Sequence, residues 1–218
     1  MSERICIFPQ DKTTDFLSPI YELLVSQGYE GFHVDTNIFN IKELFTALRN
    51  AKEVVFLGHG SFGKLYGSPN GLRQVSLIGK EEMDLLRNKH LFLLSCNSSE
   101  LGHYYGLTHV VGFGDIPTDR ADVLAIAQNE LFPNLQEEDI LVYNRSLVNA
   151  VCFAFRHGGL QNMNKLYNCL RLAINREVVL CLLQRVCPMY RDVADCLQKL
   201  KNDCEISSTS FLAPSKCG

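Results

Sequence analysis

Short apolar runs that stop abruptly set the tightest limit on what this chain can fold into. Residues 4–9, 31–35, 53–57, 91–95 and 109–113 are too short for buried helices and are bounded by Gly, Pro or polar residues. Strands buried on both faces of a parallel sheet have this pattern. The segments between them carry helical spacing instead. Residues 14–27 place Phe16, Ile20, Leu23 and Leu24 on one face and close at Gly28, and residues 40–50 place Ile41, Leu44, Phe45 and Leu48 on one stripe. Residues 79–88 and 98–105 predict short helices, and 119–129 a further one. Residues 61–77, rich in Gly, Ser, Pro and Asn, predict a loop or small hairpin. Repeated strand–helix–strand units imply an α/β fold, a mostly parallel sheet flanked by helices.

Beyond residue 131 the pattern turns helical, with apolar stripes over 139–156 and 163–185, an interruption at Pro188 and another helix over 192–201. The expected organisation is one domain over 1–205, an α/β part (1–130) and a mainly helical part (131–205), followed by a flexible tail over 206–218. A chain of 218 residues buries a core large enough to need no covalent staples. Its net charge of −3, with no run of Lys and Arg, gives no footprint for nucleic acid. No apolar run is long enough for a membrane span, and Met1 to Arg4 leads straight into a short run cut by Pro9 rather than into a secretory signal. The expected compartment is the cytoplasm. The nine cysteines are odd in number and lack a Cys-x-x-Cys pair, so Cys152, Cys169, Cys181, Cys187, Cys196 and Cys204 read as buried free thiols in helical patterns. No metal site or cofactor is expected.

Two of the apolar runs end on chemistry. Val54 to Ser61 reads VVFLGHGS and Leu91 to Glu100 reads LFLLSCNSSE, so His59 and Cys96 each stand at the carboxyl end of a predicted strand. Catalytic groups of open α/β sheets lie beyond those ends. A thiolate is a nucleophile and an imidazole can take its proton, and neighbouring strands bring such residues together however far apart they are in sequence. Gly58 and Gly60 allow a sharp turn and a close approach of backbone to substrate, and the amides of Gly60 and Cys96 can donate to an oxyanion. Ser98 and Ser99 are natural N-caps for a helix whose start favours a nearby thiolate. Taken singly, a strand-end His is more often structural and a Cys ending an apolar run is usually core. His103 and His109 read as structural or surface residues, and Tyr104 and Tyr105 as residues that pack rather than bind.

At VVFLGHG and LFLLSC the chain resembles caspase-like (clan CD) cysteine peptidases, in which one apolar block precedes His-Gly and a second precedes the nucleophilic Cys. The segment HVVGFGDIPTDRAD, His109 to Asp122, resembles the strand that follows the nucleophile in the CHAT and separase branch. The likeness covers about residues 53–129. Ser95-Cys96-Asn97 departs from the Gln-Ala-Cys of caspases, and no linker divides large and small subunits, so the CHAT-like branch is the nearer one. The resemblance implies a caspase-like three-layer fold and a cysteine endopeptidase acting on a protein or peptide through an acyl-enzyme. In it His59 is the acid–base, Cys96 the nucleophile and Gly60 an oxyanion donor. Asp115, or failing that Asp119, lines an S1 pocket for a basic P1 residue, with a helix N-cap as the other reading of Asp119. Regulated or defence-linked proteolysis gated by a protein partner is also implied. Two other functions compete. One is a catalytically idle interaction module of the same fold. The other is a nucleotide- or phosphate-binding protein using the Gly-rich stretch 58–67, although no G-x-G-x-x-G or P-loop pattern opens a helix.

Overall fold

A computed structural model of the chain describes residues 2–35, 40–70, 73–127 and 135–207. The strands are β1 (Arg4–Pro9), β2 (Glu30–Val34), β3 (Glu53–Leu57), β4 (Gly60–Ser61), β5 (Lys64–Tyr66), β6 (Ser76–Ile78), β7 (His90–Leu94), β8 (Val110–Gly112) and β9 (Glu205–Ser207). The main sheet is six-stranded in the order β2-β1-β3-β7-β8-β9. All its pairs are parallel except β8 with β9. β4, β5 and β6 form a separate three-stranded antiparallel sheet, which fills the segment expected as a loop or hairpin.

The helices are α1 (Ser18–Ser26), α2 (Ile41–Asn50), α3 (Ser98–Tyr104), α4 (Arg120–Ala127), α5 (Glu137–His157), α6 (Met163–Gln184) and α7 (Tyr190–Asp203). Two helices are shorter than expected. Residues 14–27 open with a 3-10 turn over Asp15–Leu17 before α1, and 79–88 hold only the 3-10 turn Met83–Leu86. The expected 119–129 helix runs to Ala127, and positions 128–129 lie outside the described residues.

Successive residues of a strand point to opposite faces, and here both faces are apolar. Val55, Leu57, Phe92 and Leu94 join a core with Ile20 and Leu24 of α1, Leu147 and Val151 of α5, and Leu197 of α7. Val54, Phe56, Leu91 and Leu93 join another with Leu44 and Leu48 of α2, Leu101 of α3 and Ile78 of β6. The sheet is the middle of three layers, so its strands had to be continuous apolar runs. Each buried Leu or Phe contributes about 1.5–3 kcal/mol.

One boundary needs correction. The flexible tail expected from 206 cannot begin there, because Ile206 and Ser207 pair with Val111 and Val110 as an edge strand. The rest of that tail lies outside the described residues. Among the described residues no helix is long and apolar enough to cross a membrane.

The cysteines Cys6, Cys152, Cys181, Cys187, Cys196 and Cys204 are buried free thiols, and Cys169 is half-buried. Burial pushes the Cys196 and Cys204 thiols up to about 12 and raises Cys6 as well. The unfolded chain therefore loses these protons from the ordinary value of 9.0 upward while the folded chain holds them. Folded stability must fall as pH rises through that window, by roughly 1 kcal/mol or more per pH unit for each such thiol. Thermal melts followed by circular dichroism should show Tm dropping steadily from pH 9. A Tm that is level through the alkaline range would show that the thiols ionise inside the folded chain.

Candidate active site

β3 and β7 pair in parallel with Leu57 opposite Leu94, so His59 and Cys96 each stand two residues past matched strand ends. Paired strands lie about 4.8 Å apart. Gly58 N donates to Leu94 O at 3.1 Å and carries the pairing one step beyond the ladder. His59 and Cys96 line one small cavity together with Gly58, Ser95, Ile116 and Thr118. Gly60 is required for close approach. A Cβ there would stand 2.6 Å from Ser95 Oγ and 3.2 Å from Cys96 O. The backbone that would carry the oxyanion amide therefore rides directly on the segment that carries the nucleophile.

Cys96 is followed by Asn97, which adopts a left-handed φ of 54° at the N-cap position of α3 without a side-chain capping bond. Ser98 and Ser99, expected as the caps, do something else. Ser98 Oγ donates to Leu93 O at 2.6 Å and accepts from Phe113 N at 2.9 Å, and Ser99 Oγ donates to Phe113 O at 3.2 Å. They fasten the start of α3 to β7 and to the segment leaving β8.

That segment runs over the thiol. Ile116 N donates to Cys96 Sγ at 3.3 Å, and the thiol donates to Ile116 O at 3.4 Å. Asn97 N reaches Gly114 O at 2.9 Å and Asn97 Nδ2 reaches Asp115 Oδ1 at 3.1 Å. Farther along, Asn144 Nδ2 of α5 donates to Thr118 O at 3.1 Å, and Thr118 donates through both N and Oγ1 to Asp122 Oδ2. The cavity left between His59 and Cys96 is about 10 Å³, room for one water at most. Burial pushes the Cys96 thiol up to about 12, against the lowering effect of the Ile116 N–H, and the carboxylates of Asp122 and Asp115 push it the same way. Desolvation dominates at this sulfur, so the thiolate expected beside the start of α3 is not favoured.

His59 is held from the other side. Its Nε2 lies 2.6 Å from Thr13 Oγ1 and 3.5 Å from Asp11 Oδ2, with both the imidazole and the carboxylate mostly buried. Asp11 Oδ1 in turn accepts from Thr13 N at 2.9 Å and from Thr13 Oγ1 at 2.8 Å. Asp11 and Thr13 follow the carboxyl end of β1, the strand beside β3. Neither residue stands out in the sequence, where QDKTTD reads as an ordinary polar loop. The one signal available was their position just past a strand end, the rule that selected His59 and Cys96.

The remaining expected residues fall as follows. Asp119 Oδ1 accepts from Asp122 N at 2.9 Å, as an N-cap of α4 does. Asp115 is engaged with Asn97, and neither carboxylate lines the cavity of His59 and Cys96. His103 pairs with Glu205 at 2.9 Å on the surface. His109 packs edge-on against His90 at the amino ends of β8 and β7, the end of the sheet opposite the site. Tyr105 OH donates to Gly63 O at 2.9 Å and braces the small sheet, while Tyr104 is exposed beside Phe62. The Gly-rich stretch 58–67 enters β4 and β5 rather than a helix. Among the described residues no three His, Cys, Asp or Glu side chains converge as metal ligands.

The class that fold and site define is an α/β protein with a His and a Cys at adjacent strand ends of a mostly parallel sheet. Compared with protein-family models, curated proteins and solved structures, the chain has no significant match.

Proposed function

We propose that the chain is a caspase-like cysteine endopeptidase of the CHAT and separase type. The observation that carries this is the placement of His59 and Cys96 at register-matched ends of β3 and β7 on the wall of one cavity. Cys96 Sγ attacks the scissile carbonyl as its proton passes to His59, and the Gly60 and Cys96 amides hold the developing oxyanion. The C–N bond then breaks, the amine leaves with the proton from His59, and an acyl-enzyme remains. Water attacks the thioester carbonyl, gives a proton to the imidazole and releases the acid, and the thiol regains its proton. Proton removal must accompany attack, because a thiol this far from ionising is not a standing nucleophile.

The backbone of Ile116 occupies the thiol's hydrogen-bonding positions, so a substrate must displace it. This makes the site dependent on an event that lifts residues 113–118, which fits gating by a protein partner. Asp115 lies in that segment and is the better placed of the two acidic residues to meet a basic P1 side chain, since Asp119 is committed to α4. The closed thiol also favours a second reading, a catalytically idle module that uses the fold for interaction.

Hydrolysis of fluorogenic peptides varied at P1 among Arg, Lys, Asp and Leu, by wild type and by Cys96→Ala, tests the proposal. Cleavage that is lost in Cys96→Ala and greatest after Arg or Lys is the expected result. Cleavage after another residue would keep the peptidase and discard the Asp115 pocket. Silence in the wild type, together with no selective reaction of Cys96 with a thiol-directed peptide probe even in Asn144→Ala, where the segment over the thiol is loosened, would leave the idle module.

A further inference from the structure

The neighbourhood of His59 contains more than the proposed dyad requires, and its hydrogen bonds have a direction. A carboxylate only accepts, so at 2.8 Å Asp11 Oδ1 takes the single hydroxyl proton of Thr13. Thr13 Oγ1 then has only lone pairs to offer its second partner, His59 Nε2, at 2.6 Å. The imidazole must therefore carry its proton on Nε2, and Nδ1 is left as its one basic position. Asp11 Oδ2, 3.5 Å from the same Nε2, reinforces this by favouring the edge of the ring that bears hydrogen. Thr13 N, bonded to Asp11 Oδ1 at 2.9 Å, closes the turn and fixes the carboxylate. The rest of the cavity wall around His59 is neutral, with apolar contributions from Phe16, Leu17 and Leu147. Among the described residues no carboxylate lines that cavity, and Asp11 reaches the ring from outside it.

We infer that Asp11 and Thr13 are positioning residues of the candidate catalytic site, a relay from the end of β1 that locks His59 in its Nε2–H tautomer and reserves Nδ1 for proton transfer. This rests on the peptidase reading for its catalytic meaning, although the tautomer itself does not. The cost of holding a reactive imidazole in one orientation is met by a preformed turn, so nothing has to reorganise when the proton moves. Replacing the threonine oxygen removes the acceptor and frees the ring to rotate or to exchange tautomers, while the fold keeps a side chain of the same shape.

Long-range nitrogen–carbon NMR correlations of ¹⁵N-histidine-labelled protein at alkaline pH distinguish the two neutral tautomers, and His59→Gln assigns the signal. The expected result is an Nε2–H imidazole in the wild type. In Thr13→Val the Nε2–H to Nδ1–H ratio should fall about fivefold, the size of one net hydrogen bond, and Thr13→Ser should restore it. Asp11→Asn, which keeps an acceptor for the turn but removes the charge, should lie between them and serves if Thr13→Val does not fold. An Nδ1–H imidazole in the wild type overturns the proposal, as does a ratio unmoved by both substitutions. In peptide hydrolysis the relay predicts a lower kcat at unchanged KM for Thr13→Val. The NMR result needs no turnover, so a chain with the expected tautomer that neither hydrolyses peptides nor reacts selectively at Cys96 once the segment over the thiol is loosened would defeat the peptidase reading and leave the relay standing.

Discussion

Iodoacetamide will alkylate Cys96 in the folded chain at least about fiftyfold more slowly than the same cysteine in the urea-unfolded chain at neutral pH. The thiol is pushed from 9.0 to about 12, so the thiolate fraction falls by the corresponding three powers of ten. A more basic thiolate is a better nucleophile, with a Brønsted slope of about 0.4–0.5, and this recovers a little under half of the loss on a logarithmic scale. What remains is roughly fiftyfold before access is considered, and the cavity beside Sγ is only about 10 Å³. The folded rate should go on rising with pH above 9, where the unfolded thiol has levelled off. Asn144→Ala removes the α5 anchor on Thr118 O and should raise the folded rate by loosening the segment over the thiol. Mass spectrometry of the peptide carrying Cys96 reads each rate. Folded alkylation as fast as unfolded would mean that Ile116 does not shield the sulfur, and the case for a gated site would go with it.

Much of this architecture is written in local patterns. The run from Val54 to Leu57 could be recognised as a strand because both faces of the sheet are covered, which removes polar residues from it and makes its end at Gly58 abrupt. The same holds for Leu91 to Leu94, and hence for the matched placement of His59 and Cys96. The features that escaped depend on which distant groups meet. Glu205–Ser207 becomes a strand because the edge of β8 is open to it, and three residues carry no periodicity of their own. Ser98 and Ser99 have the composition of caps, but carbonyls and an amide from β7 and the end of β8 lie within reach of their hydroxyls and capture them. Asp11 and Thr13 gain meaning only when β1 is set beside β3. The state of Cys96 was the furthest from view, since a raised or lowered thiol depends on what covers it, and the cover comes from residues about twenty positions downstream.

Gly112→Ala will destabilise the fold by about 3 kcal/mol or more, at the upper end of what overpacking a core costs. A Cβ at this position of β8 would stand 2.6 Å from Ser99 N, 2.7 Å from Ser99 Cα and 2.8 Å from Ser98 C. All three are backbone atoms in the first turn of α3, so no side chain can rotate away. The turn itself is fixed to the sheet through Ser98 Oγ, which bridges Leu93 O and Phe113 N. Either α3 must move off β8 or the ladder between β7 and β9 must bend. Gly102, on the same helix, makes the matching control. Its added Cβ would meet Val110 side-chain atoms no closer than 3.6 Å, an ordinary contact. Gly102→Ala should gain about 0.5–1 kcal/mol from helix propensity. Two single-methyl additions at one interface therefore carry opposite signs, and urea melts of the two variants measure both. Because the first turn of α3 follows directly on Cys96, Gly112→Ala should also speed alkylation of that thiol, whereas Gly102→Ala should not. Equal stability of Gly112→Ala and wild type would show that α3 is not held against the sheet as closely as these distances require, and would remove the rigid support on which the placement of Cys96 depends.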